Sequence, residues 1–362
     1  MLPSGPVASH RLTRPIALRL ALLGALVGLA SPSPAAPLTR RLSPDRIHRG
    51  MVIETGWGEH GDPGGPATLR ELRDLGVNAV EVVPFAYQAD VERPELRFRD
   101  FTATQTAFIG EAHALGLIVL VKPHIWSRQF WGPHARWHGD LRMRSEADWQ
   151  RWFAAYGDFI LHYARLAEAT RVEVLCVGLE YVQATRERPD DWRALIAAVR
   201  TAYHGELTYA AHVPDEAAAI PFWDDLDYIG VTVYPNLAAR PGAPVDSLVR
   251  GYAGTVELLE RLAGRHGRPV LVTEIGFPAT RGAAVRPWQW PGAGDAVDLD
   301  EQARAYEATF RALWGRPWLR GLYWWKWPID GRGGGPGDPE YTPLRKPAAA
   351  VMARYYRELR TE

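Results

Sequence analysis

Two glutamates stand where short apolar segments end, at positions where a charge is costly to bury. Glu180 follows the segment VEVLCVGL (172–179), and Glu274 follows PVLVT (269–273). A carboxylate in such a place is paired with a cation, exposed to solvent or used in chemistry, because an unpaired buried charge is strongly unfavourable. If two carboxylates lie close together, their like charges oppose double ionisation, so that one keeps a proton while the other stays ionised. We therefore treat Glu180 and Glu274 as a candidate catalytic pair, with a salt bridge to Arg or Lys as the alternative for either residue.

The segments before these glutamates belong to a regular alternation of apolar runs and amphipathic helical segments. A near-continuous apolar run followed by a helix is typical of a parallel strand that is buried on both faces. Eight such units in about 310 residues predict a (β/α)8 TIM barrel, formed as a single domain by residues 37–362. A doubly wound open sheet is the alternative arrangement. The eight predicted strands are RGMVIET (49–55), VNAVEVVPF (77–85), LIVLVKPHIW (117–126), VEVLCVGLEY (172–181), LTYAAHV (207–213), LDYIGVTVYP (226–235), PVLVTEIGF (269–277) and LRGLYWWKW (319–327).

In a barrel of this kind the carboxyl ends of the strands form one rim, which carries the active site. Glu180 and Glu274 end the fourth and seventh predicted strands, so both side chains are expected at this rim. Two carboxylates that face each other across a sugar are the minimum machinery for cleaving a glycosidic bond. Trp and Tyr rings, which combine an apolar face with a polar group, suit the flat C–H faces of sugars. The candidate substrate-binding residues at or near the strand ends are Trp57, Lys122, His124, Trp126, His212, Tyr234, Trp325 and Trp327.

Other chemistries find less support in the sequence. His124 and His212 could bind a metal, but H-E-x-x-H is absent and strand one lacks H-x-H, so we predict no metal and no other cofactor. We expect His124 to donate a hydrogen bond to substrate instead. No G-x-S-x-G motif for a serine nucleophile occurs. Glu81, inside strand two, is expected to form a buried ion pair with Lys122. A barrel that binds glycans or a cell-envelope partner without hydrolysis is the alternative function.

Composition and charge limit the partners of the protein. Lys+Arg and Asp+Glu both number 42, so the net charge is zero and no basic surface for nucleic acid is indicated. The single cysteine, Cys176, lies in the fourth apolar run, where we expect a buried and unreactive side chain. A carbohydrate is therefore the predicted partner.

The first 36 residues differ in character from the rest of the chain. Arg11 and Arg14 precede the apolar stretch IALRLALLGALVGLA (16–30), and the small residues of SPSPAAPL (31–38) follow it. This order is typical of a secretory signal peptide, here residues 1–36. We therefore expect a secreted or periplasmic protein without stable membrane insertion after cleavage. An uncleaved anchor is the alternative, although a membrane span needs ~20 apolar residues.

Six short motifs span most of the predicted mature chain: LGVNAVEVVPFAYQ (75–88), VLVKPHIW (119–126), VGLEY (177–181), TVYP (232–235), VTEIGF (272–277) and YWWKW (323–327). In this order they resemble the clan A glycoside hydrolases, and within that clan glycoside hydrolase family 113, whose members include β-mannanases. The resemblance implies a retaining enzyme for β-linked, mannan-like poly- or oligosaccharides, with Glu180 as general acid/base and Glu274 as nucleophile. It also implies that Tyr234 hydrogen-bonds the nucleophile and that Trp327 lies under the sugar at the cleavage point. The sequence departs from much of the clan at Leu179, where Asn commonly precedes the acid/base.

Overall fold

The protein forms a closed barrel of parallel strands surrounded by helices. The computed structural model describes residues 40–43, 45–54, 65–130 and 136–358. The strands within this part of the chain are β1 (His48–Glu54), β2 (Ala79–Val82), β3 (Phe85–Gln88), β4 (Leu96–Phe98), β5 (Ile118–Val121), β6 (His124–Trp126), β7 (Val174–Leu179), β8 (Glu206–His212), β9 (Ile229–Val233), β10 (Val270–Ile275) and β11 (Leu319–Pro328). The barrel closes in the order β1-β11-β10-β9-β8-β7-β5-β2. Each of the eight predicted strands contributes one barrel strand, so the predicted (β/α)8 fold is confirmed.

The helices that surround the barrel begin and end at residues suited to those positions. The Ser145 hydroxyl accepts a hydrogen bond from the Asp148 amide (3.1 Å) at the start of the longest of these helices, and Asp298 accepts one from Glu301 (2.7 Å) at the start of another. Each such cap contributes about 1 kcal/mol to stability. The helices of the described residues are α1 (Gly65–Asp74), α2 (Thr102–Ala114), α3 (Glu146–Thr170), α4 (Val182–Glu187), α5 (Pro189–Ala202), α6 (Asp215–Ala219), α7 (Val245–Gly251), α8 (Ala253–His266), α9 (Leu299–Leu313) and α10 (Pro347–Glu358).

Three barrel strands contain a β-bulge near their carboxyl ends, where the strand has one more residue than the paired stretch of its neighbour. On β7, the step from Cys176 to Leu179 spans three residues, whereas the paired step on β8 spans two. On β10, the step from Val272 to Glu274 spans two residues, whereas the paired step on β9 spans one. On β11, the step from Trp324 to Trp327 spans three residues, whereas the paired step on β1 spans two. Such bulges bend a strand and change the direction of the following side chains, and they are frequent beside active sites.

A second, three-stranded sheet stands beside the barrel and was not expected from the sequence. Its order is β4-β3-β6, with β3 parallel to β6 and antiparallel to β4. The sequence interpretation merged β3 with β2 and β6 with β5, because the apolar runs are continuous. Pro84 and Pro123 separate these pairs of strands. Proline has no N–H to donate to a sheet, so each proline ends the barrel pairing and lets the chain leave the barrel.

The described part of the core contains a fully buried pair of ionisable side chains, Lys122 and Glu81, as the sequence analysis expected. Nζ of Lys122 lies 2.7 Å from Oε1 of Glu81, and both side chains have no exposed surface. Cys176 is also buried, as expected, and burial raises the pKa of its thiol to about 12. The predicted pair and the predicted inert thiol are both confirmed.

Two predictions fall on parts of the chain outside the described residues. The expected signal peptide, residues 1–36, is one of them, and Trp57 is the other. Within the described residues, none of the helices combines the length and the apolar character that crossing a membrane requires.

Candidate active site

A cleft of about 930 Å³ opens at the carboxyl ends of the barrel strands. Glu180 and Glu274 both line it, which places the predicted pair in one site. The rim was the expected position, because strand ends of a parallel barrel converge there. The other residues of this cleft used below are Phe85, His124, Trp126, Trp137, His138, Leu179, His212, Tyr234, Trp288, Trp290, Trp325, Lys326 and Tyr341.

Both carboxylate oxygens of Glu274 accept hydrogen bonds from side chains. The Tyr234 hydroxyl donates to Oε1 (2.6 Å), as the resemblance implied. Nζ of Lys122 donates to Oε2 (3.0 Å). Burial and the charge of Glu274 raise the pKa of Tyr234 well above its ordinary value, so the phenol keeps its proton and remains a donor. An ammonium and a phenol together stabilise an ionised carboxylate, which is the form that a nucleophile needs.

Glu180 has a different environment, with neutral groups around its carboxyl. The Thr232 hydroxyl donates a hydrogen bond to Oε1, and Nδ1 of His138 lies 3.8 Å from Oε2. Burial raises the pKa of Glu180 to about 8, and the nearby charge of Glu274 adds to this effect. Glu180 is therefore protonated at neutral pH, which is the form that a general acid needs.

The backbone of Glu180 is held in an unusual conformation. Its φ is +46°, in the left-handed region that a residue with a side chain enters at a cost of about 1–2 kcal/mol. Its amide donates to the Ala210 carbonyl (2.9 Å), and the Tyr181 amide donates to the Tyr209 hydroxyl (2.8 Å). Tyr209 in turn donates to the buried carboxylate of Glu216 (2.7 Å). These bonds hold the turn that directs the Glu180 side chain into the cleft.

His138 is a functional candidate that the sequence analysis missed. Its Nε2 lies 3.1 Å from the Ile125 carbonyl, which can only accept, so Nε2 carries the ring proton. Burial lowers the pKa of His138 to about 4, so the ring is neutral and Nδ1 presents a lone pair. This nitrogen lies 3.8 Å from Oε2 of Glu180, beyond hydrogen-bond distance in this structure. His138 lies in the loop after β6 rather than at a strand end, so strand patterning could not identify it.

Five of the eight predicted substrate-binding residues line the cleft. The hydroxyl of Tyr234 is bound to Glu274, and the ring of His212 packs against Trp137 at 5.0 Å between centroids. His124 is almost completely buried, and burial together with Lys122 and His138 lowers its pKa well below the ordinary value. The five residues are His124, Trp126, His212, Tyr234 and Trp325.

Two predicted binding residues do not line the cleft. Lys122 is completely buried and contacts Glu81 and Glu274, so it acts on the carboxylate rather than on substrate. Trp327 is only 1% exposed and belongs to the core, whereas Trp325 lines the cleft. The extra residue of β11 between positions 324 and 327 breaks the simple alternation of the strand. The aromatic residue that β11 presents to the cleft is therefore Trp325.

Several aromatic side chains of the cleft come from loops and from the second sheet. Trp288 and Trp290 belong to the long loop between β10 and α9, and Phe85 lies on β3. They are large apolar side chains that remain substantially exposed, as does Trp126. Nζ of Lys326 lies 5.0 Å from the ring centre of Trp290 and forms an ion pair with Glu54. Exposed rings within a cleft suit a ligand with apolar faces, such as a chain of sugars.

Two further observations bear on the chemistry of the cleft. Leu179 lies beside Glu180 with only 1% exposure, so an apolar side chain lines the cleft directly before the acid. In the described part of the chain, there is no group of three or more His, Cys, Asp or Glu side chains that could hold a metal ion.

Taken together, the geometry separates the two glutamates by protonation state. Glu274 accepts from a cation and a phenol, whereas Glu180 accepts from the neutral hydroxyl of Thr232 and lies near the charge of Glu274. A retaining cleavage of a glycosidic bond requires this combination, with one carboxylate to attack carbon and one carboxylic acid to protonate the leaving oxygen.

Comparison with known proteins gives the family. The sequence model of Glycoside Hydrolase Family 113 matches residues 53–333. Among solved structures, the chain is similar to the GH113 β-mannanase AaManA from Alicyclobacillus acidocaldarius, with 29% identity over 86% of this chain and 98% of that chain at a TM-score of 0.73. It is also similar to a GH113 β-1,4-mannanase, with 27% identity over 86% of this chain and 99% of that chain at a TM-score of 0.73.

A more distant likeness extends to another glycoside hydrolase family. A GH5_18 protein from Streptomyces cattleya shares the fold, with 20% identity over 88% of this chain and 81% of that chain at a TM-score of 0.58. No curated protein sequence gives a significant match. Because the family match covers well over half of the chain, the protein belongs to glycoside hydrolase family 113.

Proposed function

We propose that the protein hydrolyses β-1,4-linked mannan or manno-oligosaccharides with retention of anomeric configuration. The substrate class rests on the two family 113 relatives described as a β-mannanase and a β-1,4-mannanase. The mechanism rests on one observation, the unequal hydrogen-bond donors at Glu274 and Glu180. The exposed aromatic rings along the cleft support a substrate with several sugar units.

In the first step, a carboxylate oxygen of Glu274 attacks the anomeric carbon as the glycosidic bond breaks. The proton of Glu180 passes to the leaving oxygen, so that the departing chain leaves as an alcohol and not as an alkoxide. The products are a covalent glycosyl ester on Glu274 and an ionised Glu180. Loss of negative charge from Glu274 removes the repulsion that favoured the protonated form of Glu180, so Glu180 is now better able to act as a base.

In the second step, water attacks the same carbon and displaces Glu274. Glu180 accepts the proton of this water, and Glu274 leaves as a carboxylate. Two inversions at one carbon give net retention. Lys122 and Tyr234 stabilise the returning charge on Glu274, since both donate to its oxygens.

The proposed function is tested by a panel of polysaccharides that contains galactomannan, glucomannan, cellulose and xylan. We expect wild-type protein to release reducing ends from the mannans, and early products followed by NMR to keep the β configuration. Glu274→Gln is expected to lose this activity, because an amide cannot form the glycosyl ester. Binding of mannan by calorimetry without any release of reducing ends would support a non-hydrolytic glycan-binding role and contradict the proposal.

We also propose that the protein is exported. The support is the order of Arg residues, apolar residues and small residues within positions 1–38. Expression of the full chain followed by N-terminal sequencing of the exported form tests this. A mature terminus near Ala36 is expected, whereas retention of residues 1–36 in a membrane fraction would indicate an uncleaved anchor.

A further inference from the structure

The side chain of Lys122 extends across the barrel interior and contacts residues of a distant strand. It directly follows β5, whereas Glu274 and Thr273 belong to β10, and three other strands separate β5 from β10 in either direction round the barrel. The contact therefore crosses the centre of the barrel. Lys122 itself is fully buried, so its ammonium has to find all of its partners inside the protein.

Three oxygens lie close to this ammonium, two of them as hydrogen-bond acceptors and the third, on Glu81, as an ion-pair partner. Oε1 of Glu81 lies at 2.7 Å, Oε2 of Glu274 at 3.0 Å and the carbonyl oxygen of Thr273 at 3.3 Å. Two of the three partners belong to the nucleophile and to the residue before it. Lys122 thus contacts both the side chain of Glu274 and the backbone that carries it.

The charges in this group do not balance if every member is ionised. One buried ammonium then faces two carboxylates, of which Glu81 has no exposed surface. Burial raises the pKa of Glu81 to about 8 even though Lys122 opposes the shift. Burial disfavours the charge on Lys122, but Glu81 and Glu274 outweigh this effect and raise its pKa. The ammonium of Lys122 is thus shared between Glu81, whose neutral form burial favours, and the carboxyl group of Glu274.

On the basis of the proposed function, we propose that Lys122 and Glu81 form a positioning pair for the nucleophile. Lys122 fixes Glu274 and keeps it a carboxylate, and Glu81 holds the Lys122 ammonium in place. Neither residue lines the cleft, and both side chains are fully buried. The pair replaces water as the environment of Glu274 on the buried side of the carboxylate, where a fixed charge acts more strongly than it would in solvent.

Three variants separate this role from a merely structural one. Lys122→Met leaves Glu81 without its partner, so we expect both a lower melting temperature and slower formation of the glycosyl ester. In the double variant E81M/K122M the ionic groups are replaced together, and we expect the melting temperature to recover while ester formation stays roughly 10²–10³-fold slower than in wild type. Glu81→Gln imitates the protonated acid and is expected to slow the reaction far less than Lys122→Met. Lys346→Met serves as the matched control, because Lys346 is another buried lysine whose ammonium contacts the Glu340 carbonyl (2.7 Å) and Asp338 (3.7 Å) rather than Glu274.

The readout is covalent labelling by 2-deoxy-2-fluoro-β-D-mannosyl fluoride, whose fluorine slows hydrolysis of the glycosyl-enzyme. Peptide mass spectrometry locates the label, and its rate is measured from pH 4 to pH 9. Wild-type protein that is not labelled at Glu274 would contradict the proposed function. If wild type is labelled, a double variant that recovers both stability and wild-type labelling would overturn the positioning role. We expect instead that the acidic limb of the labelling rate moves to higher pH in the double variant and stays in place in Lys346→Met.

Discussion

Glu180 and Glu274 line one cleft but are held by different kinds of hydrogen-bond donor. Glu274 accepts from the ammonium of Lys122 and the hydroxyl of Tyr234, whereas Glu180 accepts from the hydroxyl of Thr232 and lies near the neutral ring of His138. Thr232 is also the register partner of Glu274 between β9 and β10. Thr232 therefore links the side chain of Glu180 to β9, the strand that pairs with the strand of the nucleophile. This asymmetry assigns the two roles without reference to any relative.

Glu180→Ala tests the role of the acid/base. We expect the hydrolysis of mannan to fall by about 10²–10⁴-fold, because the leaving oxygen has no proton donor and the water has no base. A dinitrophenyl mannoside, whose leaving group needs no proton, should still form the glycosyl ester. Added azide should then restore turnover and give β-mannosyl azide, identified by NMR. Formation of α-mannosyl azide would mean that the variant lacks the nucleophile, and would exchange the roles of Glu180 and Glu274.

Tyr234→Phe tests the phenol at the nucleophile. Hydrogen bonds to charged groups contribute about 1.5–3 kcal/mol, so a fall in kcat of roughly 10- to 100-fold is expected. Tyr341→Phe is the matched control, since Tyr341 lines the same cleft but its hydroxyl donates to the Pro287 carbonyl (2.6 Å) and not to a carboxylate. Steady-state kinetics on an aryl mannoside measure both variants. Equal losses in the two variants would contradict a specific role of Tyr234.

Substitution of Trp325 is expected to weaken substrate binding, whereas substitution of Trp327 is expected to lower stability. Trp325→Ala should raise KM for manno-oligosaccharides by roughly threefold to tenfold, as loss of one aromatic surface of about 0.5–1.5 kcal/mol implies. Trp327→Ala should instead lower the free energy of unfolding by about 3–5 kcal/mol, because it empties a large buried site. Urea unfolding and initial rates, measured on both variants, check the two expectations. A larger loss of stability in Trp325→Ala than in Trp327→Ala would contradict the assignment.

The sequence was sufficient for the barrel and for the two glutamates, and the physical reason is the same for both. Parallel strands buried on two faces are continuous apolar runs, so each run marks a strand and its last residues mark the rim. The position of Glu180 after Leu179, and of Glu274 after Thr273, was therefore visible. The buried pair of Glu81 and Lys122 was also predictable, because an ionisable side chain inside an apolar run needs a buried partner.

Other features depend on geometry that a strand pattern does not contain. The extra residue of β11 shifts Trp327 into the core and leaves Trp325 at the cleft, and a bulge of this kind has no signal in an alternation of apolar residues. His138 approaches Glu180 from a loop, so the proximity of the two residues depends on the tertiary structure and not on a strand pattern. The second sheet was missed for a different reason, since Pro84 and Pro123 mark the ends of β2 and β5 and could have been read as breaks.

The pH dependence of catalysis should report the environment of Glu180. Because its pKa is raised to about 8, kcat/KM is expected to fall as the pH rises through about 8, where the acid loses its proton. We expect the proton of Glu180 to use Nδ1 of His138, now 3.8 Å from Oε2, as its acceptor, so His138→Phe should move this basic limb to lower pH. Rates on an aryl mannoside from pH 5 to pH 10 measure the shift. A basic limb that does not move in His138→Phe would contradict the role of His138.

The same raised pKa predicts that Glu180 makes the folded protein less stable as the pH increases. Below about pH 4.5 the carboxyl is protonated in both states, and between about pH 4.5 and 8 only the unfolded state releases the proton. Over this interval the stability contribution falls by about 1.4 kcal/mol per pH unit, and above about pH 8 it stays constant. Glu180→Gln cannot ionise, so its free energy of unfolding relative to wild type should rise by a few kcal/mol between pH 5 and pH 8. Urea unfolding at pH 5, 7 and 9 measures this difference, with Glu257→Gln on the exposed surface of α8 as the control whose difference should change little. If the difference for Glu180→Gln were independent of pH, Glu180 would not hold its proton in the folded state and could not be the acid of the reaction.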